Sequence, residues 1–184
     1  MLSVEDRWAL VEAFIKEHGL VRQHLDSYND FVTNVIQRIV EEQGEVAAGD
    51  VKVKFLKVSI TEPYAREADG SERKEHNPIL PMEARLRNIT YAKSLRLTVK
   101  VSAGGVEGSP VEAFIGYFPI MVKSVLCPLS KKGEQELIAC GEDPRDPGGY
   151  FIINGSERVL VSQEDLATNH VLVDVQSESS ASPY

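Results

Sequence analysis

Two stretches near the start of the chain carry apolar residues at the spacing of a helix. In the first, the apolar positions lie three or four residues apart, at Val4, Trp8, Val11 and Ile15. Ser3 followed by Asp6 is the pattern of a capping box, and Gly19 supplies a stop signal. The pattern predicts an amphipathic helix between Ser3 and Gly19, with Trp8 in a core or an interface.

The second stretch predicts another amphipathic helix. Ser27 followed three residues later by Asp30 marks its start, and Gly44 marks its end. Its apolar positions are Phe31, Val32, Val35, Ile36, Ile39 and Val40. Because each helix has one apolar face, each needs a partner surface against which to bury it.

The apolar spacing then changes from the helical period to the strand period of two. Residues 51–60 alternate apolar residues with polar ones, chiefly lysine, which predicts a strand with lysines on one side. Residues 94–101 predict a second strand with Arg96 and Lys100 pointing outward, and residues 111–118 predict a third. Helices followed by antiparallel strands and hairpins indicate an α+β fold.

Several further segments are short or strongly polar. Residues 61–81, with an Asp-Gly pair at 69–70, predict an exposed charged arm. Pro81 is suited to the first position of a helix. The remaining predicted elements are a short helical turn at 82–88, a helix at 130–139 and a last strand at 171–175.

Residues 146–164 carry the strongest local signal in the chain, a β-hairpin with strands at 150–153 and 157–163. An Asn-Gly pair is the preferred two-residue turn between such strands. Leu160 makes the second strand apolar on both faces, which predicts that it is covered on both sides. The turn-forming residues of this motif are Asp146, Pro147, Gly148, Gly149, Asn154 and Gly155.

Composition indicates one ordinary globular domain. The chain has 184 residues, of which 42% are hydrophobic and 26% charged, enough for one sizeable core. It contains no apolar run of membrane-spanning length and no signal-peptide pattern, which favours a cytoplasmic protein without a membrane partner.

The charge is unevenly distributed. A formal net charge of −8 argues against a free-standing nucleic-acid binder. Residues 1–50 carry a net charge of −6, whereas residues 51–100 carry +5. The basic segment is compatible either with a solvated face of mixed charge or with a local patch that faces phosphates.

The usual signatures of catalysis and metal binding are absent from the sequence. There is no phosphate-binding loop, dinucleotide fingerprint or His-Glu-x-x-His motif, and Ser156 lacks a nucleophile elbow, so a hydrolase is a weak alternative. Cys127 and Cys140 make no Cys-x-x-Cys pair, and we interpret both as buried thiols. A further set of acidic residues is better explained as solvated loop carboxylates than as metal ligands: Glu142, Asp143 and Asp146.

Four collinear stretches resemble the N-terminal part of the second-largest subunit of multisubunit DNA-directed RNA polymerases, in particular the archaeal B subunit. They are residues 19–32 (GLVRQHLDSYNDFV), 82–91 (MEARLRNITY), 115–127 (IGYFPIMVKSVLC) and 146–164 (DPGGYFIINGSERVLVSQE). The core of the last stretch is also similar to the bacterial β subunit.

The resemblance implies a piece of the protrusion domain, which forms part of the wall of the DNA-binding cleft. Residues 1–176 would be an incomplete protrusion-like domain, and residues 177–184 a serine-rich tail where a longer protein was cut. The implied partners are the rest of the same subunit, the other polymerase subunits, the DNA template and the RNA product. Because the family's metal-binding aspartates belong to the largest subunit, the catalytic Mg²⁺ is expected there. No catalytic residue or cofactor is expected in this chain.

The resemblance also suggests site residues. Residues 157–163 match a bacterial segment that lies against the active-centre cleft near the nascent RNA, so Arg158 and Gln163 are expected to point toward nucleic acid or a neighbouring loop. An ion pair of Arg158 with Glu157 or Asp165 is the alternative. The other residues expected to face nucleic acid are Lys93, Arg96 and Lys100.

Two alternatives concern the same motifs. Arg85 and Arg87 match a family motif, and structural pairing explains them as well as phosphate contact does. A different class of function is a protein-docking or assembly module, which would use the amphipathic helices and the charged arm at 61–81.

Overall fold

The structure, a computed structural model, describes residues 3–61, 79–171 and 173. Within these residues the α-helices are α1 (Val4–His18), α2 (Arg22–Asp30), α3 (Ile36–Gln43), α4 (Pro81–Leu86) and α5 (Glu134–Ala139). The strands are β1 (Glu45–Ala48), β2 (Val51–Thr61), β3 (Ala92–Ala103), β4 (Val106–Glu107), β5 (Val111–Pro119), β6 (Phe151–Ile153) and β7 (Ser156–Arg158). The expected α+β class is confirmed.

Helix α1 begins and ends where its caps predict. The hydroxyl of Ser3 accepts a hydrogen bond from the amide of Asp6 (3.1 Å), and the carboxylate of Asp6 accepts one from the amide of Ser3 (3.0 Å). The hydrogen bonds that the Asp6 carboxylate accepts from the hydroxyl and then from the amide of Ser3 lower the pKa of Asp6 below its usual value. Yet none of the 15 residues of α1 is buried, and Trp8 is 64% exposed. Trp8 is therefore not a core residue of this chain, and its role in an interface stays a prediction.

The second predicted helix starts earlier than Ser27. Helix α2 begins at Arg22, and the chain continues through a π-helical turn, Phe31–Val35, into α3. The predicted start is wrong because the amphipathic pattern already includes the turn before Ser27, where Arg22 pairs with Asp26 at 3.0 Å. The predicted end is confirmed, since Gly44 adopts φ 62° and donates its amide to Val40.

Strands β1 to β5 form one antiparallel sheet in which β3 is central. Strand β2 lies on one side of β3, and β4 and β5 pair with different parts of its other side. The pairing of β2 with β3 contains a bulge at Leu56, and the pairing of β3 with β5 shifts at Ile115. The three strands predicted at 51–60, 94–101 and 111–118 are confirmed.

One side chain of α3 covers the outer edge of β2. Strand β1 pairs only with residues 51–54, so among the described residues no strand lies on that side of β2 beyond Lys54. There the amide of Gln37 donates to the carbonyl of Leu56 (3.1 Å) and accepts from the amide of Val58 (3.0 Å). The helix therefore takes the place of a neighbouring strand at the bulge.

The buried core lies away from α1 and α3. Its members are Ile79, Ala84, Tyr91, Ile120, Val122, Cys127, Leu129, Leu137 and Ile152. They come from residues 79–91, which include α4, from the segment after β5, from α5 and from β6. Cys127 is buried as expected, whereas Cys140 is only partly buried.

Three predicted elements differ from the structure or fall outside its description. The helix predicted at 130–139 begins later, at Glu134, after a 3₁₀ turn at Pro128–Lys131. Residues 171 and 173 are not in a strand, and the rest of the strand predicted at 171–175 lies outside the described residues. Most of the predicted arm, residues 62–78, and the tail at 177–184 also lie outside them. None of the helices described is long and apolar enough to cross a membrane.

Candidate nucleic-acid interface

The β6–β7 hairpin turns where the Asn-Gly pair predicts. Asn154 and Gly155 both adopt positive φ values, 50° and 77°, as the favoured two-residue hairpin turn requires. The turn is held from outside by Thr90, whose hydroxyl lies 3.1 Å from both the amide nitrogen and the side-chain oxygen of Asn154. The amide of Gly155 donates to the carbonyl of Ile89. The hairpin is therefore fixed to the segment that precedes β3.

The Gly148-Gly149 pair is required by close packing. A Cβ atom at Gly148 would lie 2.5 Å from the carbonyl oxygen of Val122, and one at Gly149 would lie 2.9 Å from Cβ of Val21. Both glycines also have positive φ values. Their amides donate to Asp146 and Val122, so these glycines are turn residues, as expected, and do not form a phosphate cradle.

Arg85 joins α4 to the hairpin and to the loop before it. Its guanidinium pairs with Glu157 at 2.9 Å, with Glu142 at 3.4 Å and with Asp146 at 3.5 Å. It also hydrogen-bonds the hydroxyl of Tyr150 and lies 5.7 Å from the centre of that ring. Of the two explanations for Arg85, structural pairing is the one observed.

These contacts shift two pKa values. Partial burial alone would lower the pKa of Arg85, but the neighbouring Tyr150, Glu157 and Glu142 outweigh it and raise that pKa. Burial, followed by the hydrogen bond to the carboxylate of Asp146, raises the pKa of Tyr150. Arg85 is therefore cationic and Tyr150 neutral at physiological pH, and the cluster is a structural joint between three segments.

The interpretation of Glu142 as a solvated loop carboxylate is wrong. Glu142 is buried, and it accepts a hydrogen bond of 2.7 Å from the amide of Met82 in the first turn of α4. This contact satisfies a backbone donor that the helix itself leaves free. Asp143, in contrast, is exposed, and in the described part of the chain its carboxylate accepts one hydrogen bond, from the amide of Arg145. Among the described residues, no group of three His, Cys, Asp or Glu is placed to hold a metal ion.

The segment after the hairpin lies open. Strand β7 ends at Arg158, earlier than predicted, and residues 159–170 form no strand. Arg158 and Gln163 are exposed, and so is the apolar run between them, in which Leu160 is 63% exposed. The expected cover on both sides is therefore not supplied by the described part of the chain. Among the described ion pairs, Glu157 bonds to Arg85 and none involves Arg158.

An aromatic groove of about 820 Å³ runs beside this open segment. Tyr28 packs against Phe118 and Phe151 with ring centres 5.9 and 5.6 Å away, and Phe31 stacks on Phe118. The hydroxyl of Tyr28 donates to the carbonyl of Pro119 (2.7 Å), and burial raises the pKa of Tyr28. The groove was not predicted, although the spacing of Tyr28 and Phe31 on one helix face is a visible signal.

The three basic residues expected on the sheet do not share a face. Lys93 is only 6% exposed, whereas Arg96 and Lys100 lie on the opposite side of β3. The reason is strand geometry: successive side chains alternate, so an odd-numbered position cannot share a face with two even-numbered ones in a regular strand. The burial of Lys93 disagrees with its expected role at a nucleic acid.

Comparison with known proteins identifies the family. A family model described as RNA polymerase beta subunit matches residues 19–173. DNA-directed RNA polymerase subunit Rpo2 of Saccharolobus shibatae is 54% identical over 94% of this chain. The chain belongs to the RNA polymerase beta subunit family. The resemblance seen in the four motifs is thereby confirmed, and the match is consistent with the N-terminal part of the second-largest subunit.

Other members of this RNA polymerase family share most of the chain. Subunit Rpo2N of Methanocaldococcus jannaschii is 46% identical over 92% of this chain, and DNA-directed RNA polymerase II subunit 2 of Arabidopsis thaliana is 39% identical over 94%. The chain spans 15% of the Saccharolobus relative, 35% of the Methanocaldococcus relative and 16% of the Arabidopsis relative. It therefore corresponds to a minor part of these proteins.

Proposed function

We propose that this chain is the N-terminal segment of the second-largest subunit of a DNA-directed RNA polymerase and forms part of the wall of its DNA-binding cleft. The observation that carries the proposal is the 54% identity to subunit Rpo2 across nearly the whole chain. Within the protrusion-like domain, the β6–β7 hairpin is the element best suited to a cleft wall, because its turn, its glycines and Arg85 fix it to the core.

The contribution of this segment is positional. A hairpin held at several points presents Arg158 at the end of β7 in a defined orientation, and Gln163 follows in the open segment. Arginine and amide side chains are common donors to phosphates and sugars. We propose that these two residues, together with Arg96 and Lys100, face nucleic acid in the assembled enzyme. Lys93 is left out because it is buried.

The chemistry of nucleotidyl transfer lies elsewhere in the proposed enzyme. The catalytic Mg²⁺ is assigned to aspartates of the largest subunit, so the present chain holds no catalytic residue and requires no cofactor. Its activity is that of the complex, and the isolated chain neither extends an RNA primer nor binds a nucleoside triphosphate tightly.

The proposed partners are the rest of the same subunit, the other polymerase subunits, the DNA template and the RNA product. Two exposed apolar surfaces support the need for protein partners: the apolar side chains of α1 and residues 159–161. We propose that other parts of the polymerase cover both. Surfaces of this kind are rare on proteins that work alone.

Reconstitution tests the proposal. The full-length subunit that contains this segment is assembled with the remaining polymerase subunits, and a matched subunit lacking residues 3–171 is assembled in parallel. We expect the complete enzyme to bind template DNA and extend RNA, and the truncated one to lose DNA affinity or fail to assemble. Equal DNA affinity and equal primer extension by the two enzymes would contradict the proposal, as would primer extension by the isolated chain.

A further inference from the structure

The antiparallel register collects basic side chains on one face of the sheet. Residues directly opposite each other in such a ladder project to the same face. Lys54 lies opposite Lys100, Lys57 opposite Thr98, and Ser59 opposite Arg96. The basic members of this face, which we call the basic face, are Lys52, Lys54, Lys57, Arg96 and Lys100.

The bulge at Leu56 is what keeps Lys57 on the basic face. Lys52 and Lys54 occupy even positions, and in a regular strand the odd-numbered Lys57 would project to the other side. The extra residue at Leu56 reverses the alternation, so that Lys57 pairs with Thr98 and follows the same side as Lys54. Because Gln37 bonds to the carbonyl of the bulge residue Leu56 and to the amide of Val58, this arrangement is anchored by α3.

The acidic residues that the structure describes on this side of the sheet lie around the border of the basic face. Glu45 of β1 pairs with Lys52 at 3.3 Å, and Glu107 of β4 bonds to Lys100. The hydrogen bond from Lys100 and its charge lower the pKa of Glu107, and Lys54 adds to the effect, which shows that these groups share one side of the sheet. Glu112 of β5 lies opposite Thr98. The two central strands, β2 and β3, contribute only cations and hydroxyls to this face.

Like charges directly opposite each other destabilise an antiparallel pair. The Lys54–Lys100 pair is such a case, at the centre of the sheet. The chain as a whole has a net charge of −8, so the positive charge on this face is opposite in sign to that of the chain. Glu45, which lies opposite Lys54, and Glu107, which bonds to Lys100, offset only part of the positive charge, and an anionic ligand along the face would offset the rest. From Lys52 to Ser59 the face extends over roughly 23 Å at the rise of a β-strand.

We propose that the basic face binds the phosphodiester backbone of a nucleic acid. This inference rests on the proposed function and extends it from the hairpin to a second surface, with Lys52, Lys54 and Lys57 as additional contacts. The cations alternate with the hydroxyls of Ser59, Thr98 and Ser102, a combination that suits phosphate and sugar oxygens. An acidic protein partner fits less well, because protein interfaces have an apolar and aromatic centre. The aromatic residues that the described register places on this face, Phe114 and Tyr117, both belong to β5 and lie beside the basic strands rather than among them.

The test uses the reconstituted polymerase with the full-length subunit. The triple variant Lys52→Gln, Lys54→Gln, Lys57→Gln removes three exposed charges without changing the apolar side of the sheet. The control triple Lys16→Gln, Lys131→Gln, Lys132→Gln removes the same charge from positions away from the sheet. A third variant, Lys52→Arg, Lys54→Arg, Lys57→Arg, keeps the charge. DNA affinity is measured as a function of salt concentration for a duplex and for a single strand.

The slope of log affinity against log salt concentration reports the number of phosphates contacted. Each lost contact lowers the slope by about 0.9 for a duplex and about 0.7 for a single strand. We expect the glutamine triple to lower it by up to about 2.7 or 2.1, respectively, and the arginine triple to retain the wild-type slope. The DNA on which the larger loss is seen identifies the bound form, and either result supports the inference.

Two results would overturn the inference while leaving the proposed function intact. One is a slope of the glutamine triple that equals that of the control triple on both DNAs. The other is an unchanged slope together with the loss of a protein from the purified complex, which would make the face a protein interface. Should the triple fail to enter the polymerase, Lys57→Gln alone decides, with an expected loss of about 0.9 on duplex. Failure of the wild-type subunit to join the polymerase would instead count against the proposed function.

Discussion

Two parts of the chain both carry large apolar side chains, but one part buries many of them and the other leaves them exposed. The core segments, residues 79–91 and 119–158, bury them against one another, with Ile152 fully enclosed. The peripheral segments, α1 and residues 159–171, leave theirs in solvent, including Phe14 and Leu160. Both have a regular apolar pattern. The difference teaches that a pattern predicts an apolar surface, whereas burial depends on whether the partner surface is in the same chain.

The largest expected effect comes from exchanging one apolar residue in each part. Ile152→Ala removes a fully buried side chain from the core and should lower the free energy of unfolding by about 4 kcal/mol, from lost transfer energy and the cavity left behind. Leu160→Ala, the matched control in the peripheral segment, should change it by less than about 0.5 kcal/mol. Urea denaturation of the 184-residue chain measures both. Equal losses of unfolding free energy in the two variants would mean that Leu160 is as well packed as Ile152.

A smaller effect is expected from adding a methyl group to a core turn. Gly148→Ala combines a left-handed backbone with a clash against the carbonyl of Val122, and should cost about 3 kcal/mol of unfolding free energy. Gly116→Ala in β5 is the control, since its new methyl group meets nothing within 4 Å and the residue has no positive φ. Thermal denaturation compares them. If Gly116→Ala were the more destabilising of the two, the tight turn would not be what holds the hairpin.

The smallest effect concerns Tyr28, which links α2 to the core through Pro119. Burial raises its pKa above the usual value of 10.0, so the folded chain keeps the phenol proton at a pH where the unfolded chain has lost it. The contribution of the Tyr28 phenol to the free energy of unfolding is therefore fully present below pH 10. Above pH 10 it decreases by at most about 1.4 kcal/mol per pH unit. Between pH 9 and pH 11, the free energy of unfolding of Tyr28→Phe should depend less on pH than that of the wild type. An identical dependence would show that Tyr28 is not protected from water.

Local signals predicted turns and helix ends well because they act on the backbone conformation of a few neighbouring residues and do not depend on distant contacts. The Asn154-Gly155 turn, the helix opened by Pro81 and the stops at Gly19 and Gly44 depend on backbone conformations that few residues adopt. The hairpin was therefore predicted with its turn at the right residue. The family motifs also predicted the family, which the comparisons confirm.

The features that were missed depend on contacts between distant parts of the chain. From the sequence, Glu142 was interpreted as a solvated loop carboxylate. In the structure it accepts a hydrogen bond from the first turn of α4, which is distant in sequence. Lys93 was predicted to face nucleic acid, but it is buried. Alternation of side chains along β3 places it on the same side as Leu95 and Leu97, opposite to Arg96. The bulge at Leu56 is visible in the sequence, because the apolar positions of β2 change from odd to even between Phe55 and Val58. A shift of this kind in an alternating pattern indicates a bulge.

The contact of Gln37 with β2 also affects how readily the edge of β2 can pair with another extended chain. An uncovered strand edge offers a row of free amides and carbonyls to which any other extended chain can add. Gln37 occupies two of these groups at Leu56 and Val58, next to residues whose side chains are apolar. In the folded chain, the glutamine that supports the bulge thus also leaves two fewer edge groups open to pairing with another extended chain.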